Sequence, residues 1–133
     1  MAVRNAVHTG YRVADIERSA AFYRALGFAE YVRMPMGDEQ QRPIGATVFM
    51  ALPGDGPRLE LQQVFGDPPP QIGTARSHLG LTIDDMDETL GELSTHGIFP
   101  ESPPFRPVPN GATICFLRDP DGHLVELLAN LTL

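Results

Sequence analysis

The sequence has a single cysteine, few basic residues relative to acidic ones and no long apolar run, and each shortage excludes a class of protein. Cys115 cannot form an internal disulfide, and its place in an apolar run predicts core packing in a reducing compartment. The net charge is −7 with histidine neutral, so we expect neither nucleic acid nor an anionic membrane surface as a partner.

Membrane insertion and secretion are not expected either. No run approaches the roughly 20 apolar residues that a membrane helix needs. Residues 1–6 include Arg4 and Asn5 and lack the apolar segment of a signal peptide, so we expect a cytoplasmic chain. At 133 residues, with 42% hydrophobic and 20% charged, the chain fits one soluble domain or two very small modules that share a core.

The most informative local segment spans residues 118–128. It opens with Asp119-Pro120-Asp121-Gly122, which is typical of a turn because proline fixes φ, aspartate caps the turn and glycine accepts positive φ. An apolar strand follows, interrupted by one carboxylate, Glu126. A buried glutamate needs a cation, a hydrogen-bond donor or a metal, whereas on an edge strand it would face water. This segment alone leaves both interpretations open.

The pattern of predicted elements occurs twice. A strand, a helix and three strands precede a linker with three consecutive prolines, and the same order then restarts. Asp15 and either Asp84 or Asp85 are predicted helix N-caps, and a short strand is predicted at Ile98–Pro100. We therefore predict one βαβββ module over residues 1–66 and a second over residues 74–133.

The two halves also match residue by residue. Residues 8–15 align with residues 78–85 at an offset of 70, and Glu60 aligns with Glu126 at an offset of 66. If both modules fold alike, pseudo-symmetric packing would gather two imidazoles and two carboxylates, those of His8, Glu60, His78 and Glu126. Two nitrogen and two oxygen donors suit a divalent ion such as zinc, nickel, cobalt, iron or manganese. The lack of thiolate donors argues against a closed structural zinc site.

Two arginines accompany the histidines. Because side chains alternate along a strand, Arg12 shares a face with His8, and Arg76 shares a face with His78. Either arginine alone is more often a plain surface charge, so the pattern leaves their role open.

These motifs resemble the vicinal oxygen chelate superfamily, which includes glyoxalases, bleomycin resistance proteins and dioxygenases. The resemblance covers nearly the whole chain and rests on the opening segment 8–28, Arg58-Leu59-Glu60-Leu61, Ser77-His78-Leu79-Gly80-Leu81 and the segment 119–126. It implies an α+β fold in which two βαβββ modules form a cup-shaped, half-barrel mixed β-sheet around one divalent metal ion, with the helices outside. It also implies a small-molecule substrate that chelates the metal through two neighbouring oxygens.

Within the superfamily, the His/Glu/His/Glu set resembles that of lactoylglutathione lyases. This implies a metal-dependent, glyoxalase I-like isomerase or lyase that transfers a proton through a metal-bound enediolate of a 2-oxo thiol adduct or thioester. The resemblance implies Glu126 as the base with Glu60 as its counterpart. It further implies His8 and His78 as fixed ligands, with Arg12 and Arg76 binding the substrate.

Two alternatives share the fold. One is a drug-binding resistance protein, and the other is an extradiol-type dioxygenase. Gln62-Gln63-Val64 and Ser77 depart from the lactoylglutathione lyase pattern, so the glutathione part of the substrate stays open. Because the edges of such small sheets must be covered, we predict a homodimer, with the site either inside one chain or shared between two.

Overall fold

The computed structural model describes residues 2–74 and 76–131 and divides into two compact units, Met1–Gln71 and Ile72–Leu133. The elements of the first unit are β1 (His8–Arg12), α1 (Ile16–Ala25), β2 (Ala29–Gly37), β3 (Pro43–Ala51) and β4 (Arg58–Val64). Those of the second unit are β5 (His78–Ile83), α2 (Met86–Ser94), β6 (Thr113–Arg118) and β7 (Leu124–Ala129).

Both helices begin at predicted aspartates. The Asp15 side chain accepts a hydrogen bond from the backbone N–H of Arg18 at 3.1 Å, and Asp85 accepts one from that of Glu88 at 2.8 Å. These bonds satisfy backbone donors that have no partner inside the first helical turn. The N-cap predictions are therefore confirmed, with Asp85 rather than Asp84 as the second cap.

Each unit contains one mixed sheet. The strand order is β1-β4-β3-β2 in the first unit and β5-β7-β6 in the second. The pairs β1–β4 and β5–β7 are parallel, whereas the remaining pairs are antiparallel. The register sets Gly10 opposite Glu60 and Gly80 opposite Glu126, so the matched residues of the two halves occupy matched places in their sheets.

The second unit has one strand fewer than predicted. Ile98–Pro100 is not a strand, and between α2 and β6 the described residues form one β-bridge, from Phe105 to Ile114, beside a backbone hydrogen bond from Glu101 N to Phe116 O at 2.9 Å. Five prolines between positions 100 and 109 remove backbone N–H donors, which prevents a continuous ladder there. The expected second βαβββ pattern is thus wrong in this element. Ala75, the predicted start of the strand now seen from His78, lies outside the described residues.

Burial alternates along the strands that carry the two glutamates. Leu59 and Leu61 are buried, while Glu60 between them is half-buried. In the same way Val125 and Leu127 are buried on either side of half-buried Glu126. Successive strand side chains point to opposite faces, so each carboxylate lies on the face that its buried apolar neighbours leave free.

Cys115 lies in β6 with 1% of its surface exposed, which confirms the predicted core packing. Burial raises the pKa of its thiol because the charged thiolate is poorly solvated there. Among the described helices, none combines the length and the apolar character required to cross a membrane.

Candidate metal centre

The first unit holds a pair formed by His8 at the start of β1 and Glu60 in β4, called the first pair below. His8 Nε2 lies 3.5 Å from Glu60 Oε1, which is longer than the roughly 2.7–3.2 Å of a hydrogen bond from nitrogen to oxygen. Glu60 Oε1 instead accepts a hydrogen bond from Gln62 Nε2 at 2.8 Å. The ring of Phe49 packs edge-on against His8, with centroids 5.3 Å apart.

The second unit holds the second pair, His78 in β5 and Glu126 in β7. His78 Nε2 lies 3.6 Å from Glu126 Oε1, and Phe116 packs edge-on against the imidazole with centroids 5.9 Å apart. His78 Nδ1 lies 2.7 Å from the carbonyl oxygen of Arg76. Because a carbonyl oxygen only accepts, Nδ1 donates in this contact, so in the neutral ring the unprotonated nitrogen is Nε2, the atom 3.6 Å from the carboxylate.

Both pairs fit the requirements of a metal ligand set. Two donors each about 2.1 Å from one tetrahedral ion lie about 3.4 Å apart, close to the separations seen in the two pairs. Ligating histidines usually donate their second ring N–H to a carbonyl or carboxylate, as His78 does. In residues 2–74 and 76–131, no group of three or more His, Cys, Asp or Glu side chains is arranged to hold a metal ion. Each pair thus contains two of the four residues predicted as donors, and their binding of a metal stays a prediction.

Glycines leave space beside both carboxylates. A Cβ atom on Gly10 would lie 3.1 Å from Glu60 Oε1, and one on Gly80 would lie 3.8 Å from Glu126 Oε1. The distance at Gly10 is shorter than an ordinary van der Waals contact, whereas the distance at Gly80 is an ordinary one. A side chain at position 10 would thus push on the first carboxylate, whereas the second carboxylate has more room.

The two predicted substrate-binding arginines are held by neighbours in their own units. Arg12 Nη1 lies 2.9 Å from Asp67 Oδ2 in an ion pair. The Arg76 guanidinium lies over the Phe116 ring, 5.2 Å from its centroid. A substrate role for either arginine stays a prediction.

Sequence reasoning did not identify Phe49 or Phe116 as neighbours of the two pairs. Phe49 pairs across the strands with Glu60, and Phe116 with Glu126, so each phenylalanine neighbours the carboxylate of its own pair. The sequence does contain a phenylalanine in the strand that precedes each glutamate. Its place opposite the glutamate follows only from the register of the antiparallel pair, and register depends on the loop that joins the strands.

A cavity of about 400 Å³ lies beside Glu126 in the second unit. Its walls include Leu128, Ile114 and Val108 together with the proline-containing loop 107–112. Phe105 N donates to the carbonyl oxygen of Ile114 at 3.0 Å, and Ile114 N donates back at 2.8 Å, which anchors this loop to β6. A volume of this size holds a small organic ligand, with the carboxylate as a polar group in a largely apolar wall.

The chain belongs to the Glyoxalase/Bleomycin resistance protein/Dioxygenase superfamily, whose family model matches residues 5–127. It is 30% identical over 127 residues to a probable lactoylglutathione lyase of Vibrio parahaemolyticus, covering 93% of this chain and 89% of that protein. These findings confirm the family expected from the sequence motifs.

Two solved structures illustrate the range of the fold. Glyoxalase I from Zea mays matches with a TM-score of 0.82 at 23% identity, covering 96% of this chain and 45% of the maize chain, so this chain spans less than half of that protein. An antibiotic-binding protein from a Streptomyces species matches with a TM-score of 0.73 at 26% identity, covering 97% and 98%. The α+β fold class is thus confirmed.

Proposed function

We propose that this protein is a metal-dependent, glyoxalase I-like lyase or isomerase that moves a proton between neighbouring carbons of a 2-oxo thiol adduct or thioester. The observation that carries the proposal is the repeated pair of an imidazole and a carboxylate, each with Nε2 about one ligand-to-ligand distance from a carboxylate oxygen. The similarity to a probable lactoylglutathione lyase supports it.

His8, Glu60, His78 and Glu126 would hold one divalent ion of zinc, nickel, cobalt, iron or manganese. When bound, such an ion acts as a Lewis acid that stabilises negative charge on two neighbouring substrate oxygens, an effect of several kcal/mol. His78 is set for this role because its Nδ1–H is held by a backbone carbonyl. We infer that the four donors meet either within one chain or across a homodimer.

The reaction is an internal rearrangement without net oxidation. Glu126 takes the proton from the carbon that bears the hydroxyl and the thioether, and the C–H electron pair becomes the C=C bond of an enediolate. The same carboxylate returns the proton to the neighbouring carbon, while the hydroxyl proton passes from one oxygen to the other. The carbonyl is thereby moved next to sulfur, which yields a 2-hydroxy thioester with the same atoms as the adduct.

The walls of the cavity beside Glu126 favour a substrate with a small apolar group next to its carbonyl. Arg12, now paired with Asp67, would exchange this partner for a substrate carboxylate or phosphate, and Arg76 would take a lesser part. The strands β1 and β2 at the edges of the first sheet support a homodimer that covers them. We further propose a cytoplasmic location, consistent with a reduced Cys115.

The test combines metal analysis with an isomerisation assay. Purified protein is expected to hold about one divalent ion for every set of four donors, that is, for every two His–Glu pairs. It is also expected to convert the adduct of methylglyoxal with a thiol to the thioester. Glutathione and other small thiols are compared in the same assay, because Gln62 and Gln63 depart from the glutathione-type motif. Absence of both bound metal and thioester formation, in protein reconstituted with nickel or zinc, would contradict the proposal.

The second candidate is a binding protein that sequesters a small molecule. The similarity to an antibiotic-binding protein and the cavity beside Glu126 favour it. The variant His8→Ala separates the two functions, since His8 is a donor for the enzyme but lies in the other unit from the cavity. Full ligand affinity in metal-free protein and in His8→Ala, without turnover of any thiol adduct, would favour the binder.

A further inference from the structure

We propose that Gln62 fixes Glu60 in place, which makes Glu60 the stationary carboxylate and leaves Glu126 as the one that moves to take the proton. Gln62 is thus a positioning residue, acting through Glu60. This inference rests on the proposed function, which already makes Glu126 the base, and adds the hydrogen bond that keeps Glu60 from sharing that role.

Glu60 is held on two sides. Gln62 Nε2 donates to Glu60 Oε1 at 2.8 Å, and both side chains are half-buried. The same oxygen would lie 3.1 Å from a Cβ atom at Gly10, so it packs closely against the backbone of the parallel neighbour β1. Rotation of this carboxylate breaks the amide hydrogen bond in a place where water is partly excluded, which disfavours the movement.

Glu126 lacks this restraint because Leu128 occupies the place of Gln62. Both residues follow their glutamate by two positions, and both lie beside the matched glycine: Gln62 Nε2 is 3.8 Å from a Cβ at Gly10, and Leu128 Cδ1 is 3.5 Å from one at Gly80. A leucine side chain donates no hydrogen bond. Glu126 also borders the cavity of about 400 Å³, which gives its carboxylate room to turn towards a bound substrate.

The chain offers a matched control for Gln62 in the next residue. Gln63 Oε1 accepts a hydrogen bond from the backbone N–H of Ile16 at 2.9 Å, so this side chain serves the start of α1 rather than the carboxylate. Gln63→Leu replaces an amide by an apolar side chain in the same strand, as Gln62→Leu does. It is expected to lower the melting temperature without changing metal affinity.

The experiment measures nickel affinity by titration calorimetry, and kcat and KM at saturating nickel, for the wild type and four variants, of which Gln63→Leu is the control. Gln62→Leu, with Gln62→Met as a second variant of nearly equal length, is expected to weaken nickel binding about tenfold and to lower kcat much less. Leu128→Gln, which gives Glu126 an amide donor, is expected to keep or tighten nickel binding and to lower kcat about tenfold. Circular dichroism checks that each variant is folded.

Equal nickel affinity in Gln62→Leu, Gln62→Met and wild type would overturn the positioning role, as would an equal loss in Gln63→Leu. Undiminished kcat in Leu128→Gln would overturn the mobile role of Glu126. If the wild type binds nickel but isomerises no thiol adduct, the proposed function fails and the base role of Glu126 fails with it. The nickel titration then still decides whether Gln62 fixes Glu60.

Discussion

The first and second units place a histidine and a phenylalanine around one glutamate in the same way, yet they differ two residues further along the strand. There the first unit has Gln62, which bonds the carboxylate, and the second has Leu128, which borders a cavity. What is shared between the units fits the donation of ligands to a metal. What differs is the basis of the proposal that the two glutamates have different tasks.

The largest effect on kcat is expected from substitution of the two glutamates themselves. Glu126→Gln removes the proposed base and is expected to lower kcat by about 10³-fold, because a positioned base contributes roughly 10²–10⁴-fold. Glu60→Gln keeps an oxygen donor and the proposed base, so kcat is expected to fall only about tenfold. Steady-state kinetics at saturating metal measure both changes.

Bound metal is counted in both variants, so that loss of the ion is not mistaken for loss of the base. Equal losses of kcat in the two variants would mean that the carboxylates share the proton transfer. A larger loss in Glu60→Gln would reverse the assignment made from the cavity and from the Gln62 hydrogen bond.

The repeat allowed the two pairs to be predicted from the sequence, since His8 aligns with His78 and Glu60 with Glu126. Strand alternation then predicted which residues share a face, and the burial of the residues that flank each glutamate shows which side of the strand faces the core. The helix caps were predicted from the aspartates that precede the helices, because capping depends on local chemistry alone.

Contacts between distant strands could not be predicted in the same way. The missing strand of the second unit was expected by analogy with the first, but the prolines between positions 100 and 109 prevent a ladder there. Phe116 and the cavity walls depend on register and on the path of the following loop, which periodicity does not determine. Local signals thus predicted the four residues of the two pairs, whereas what surrounds these residues required the structure.

A second comparison uses the two glycines that face the carboxylates. Gly10→Ala would place a methyl group 3.1 Å from Glu60 Oε1, so the carboxylate must shift, and we expect metal affinity to fall about tenfold. In Gly80→Ala the nearest neighbour is the flexible end of Leu128 at 3.5 Å, an ordinary contact. A loss of less than about threefold is expected there, since no ligand needs to move.

Titration with nickel and with zinc measures both glycine variants. The matched substitution controls for the general effect of adding a methyl group to a strand, because glycine and alanine differ in strand propensity in the same sense in both units. If Gly80→Ala loses as much affinity as Gly10→Ala, the second carboxylate is as tightly packed as the first.

Loss of a helix cap is expected to lower the free energy of unfolding by the same amount in both units. Asp15→Ala and Asp85→Ala each remove one hydrogen bond to a backbone N–H in the first turn. Each is expected to lower the free energy of unfolding by about 1 kcal/mol. Urea unfolding measures the change, with Asp15→Asn and Asp85→Asn as controls that keep an acceptor. A cost confined to one variant would mean that the two helices contribute unequally to the folded state.

The smallest effect concerns β2, the strand without a counterpart in the second unit. Glu30 in β2 accepts hydrogen bonds from Arg33 at 2.8 Å and from Arg24 of α1 at 3.3 Å, and Arg33 also pairs with Glu17 of α1. These ion pairs tie the additional strand to the helix. The Arg33 hydrogen bond, more than the nearby positive charge, holds the pKa of Glu30 below its ordinary value of 4.5.

Because folding favours the ionised form of Glu30, its stabilisation is fully present above pH 4.5 and is lost as the pH falls through the lower pKa of the folded state. Glu30→Gln is therefore expected to cost up to about 0.5 kcal/mol at neutral pH, since the ion pairs are partly exposed. In strong acid, where wild-type Glu30 is also neutral, the variant should cost nothing. Urea unfolding over this pH range measures the difference. A cost independent of pH would show that Glu30 stabilises β2 by packing, and the strand would then be held in the first unit without help from charge.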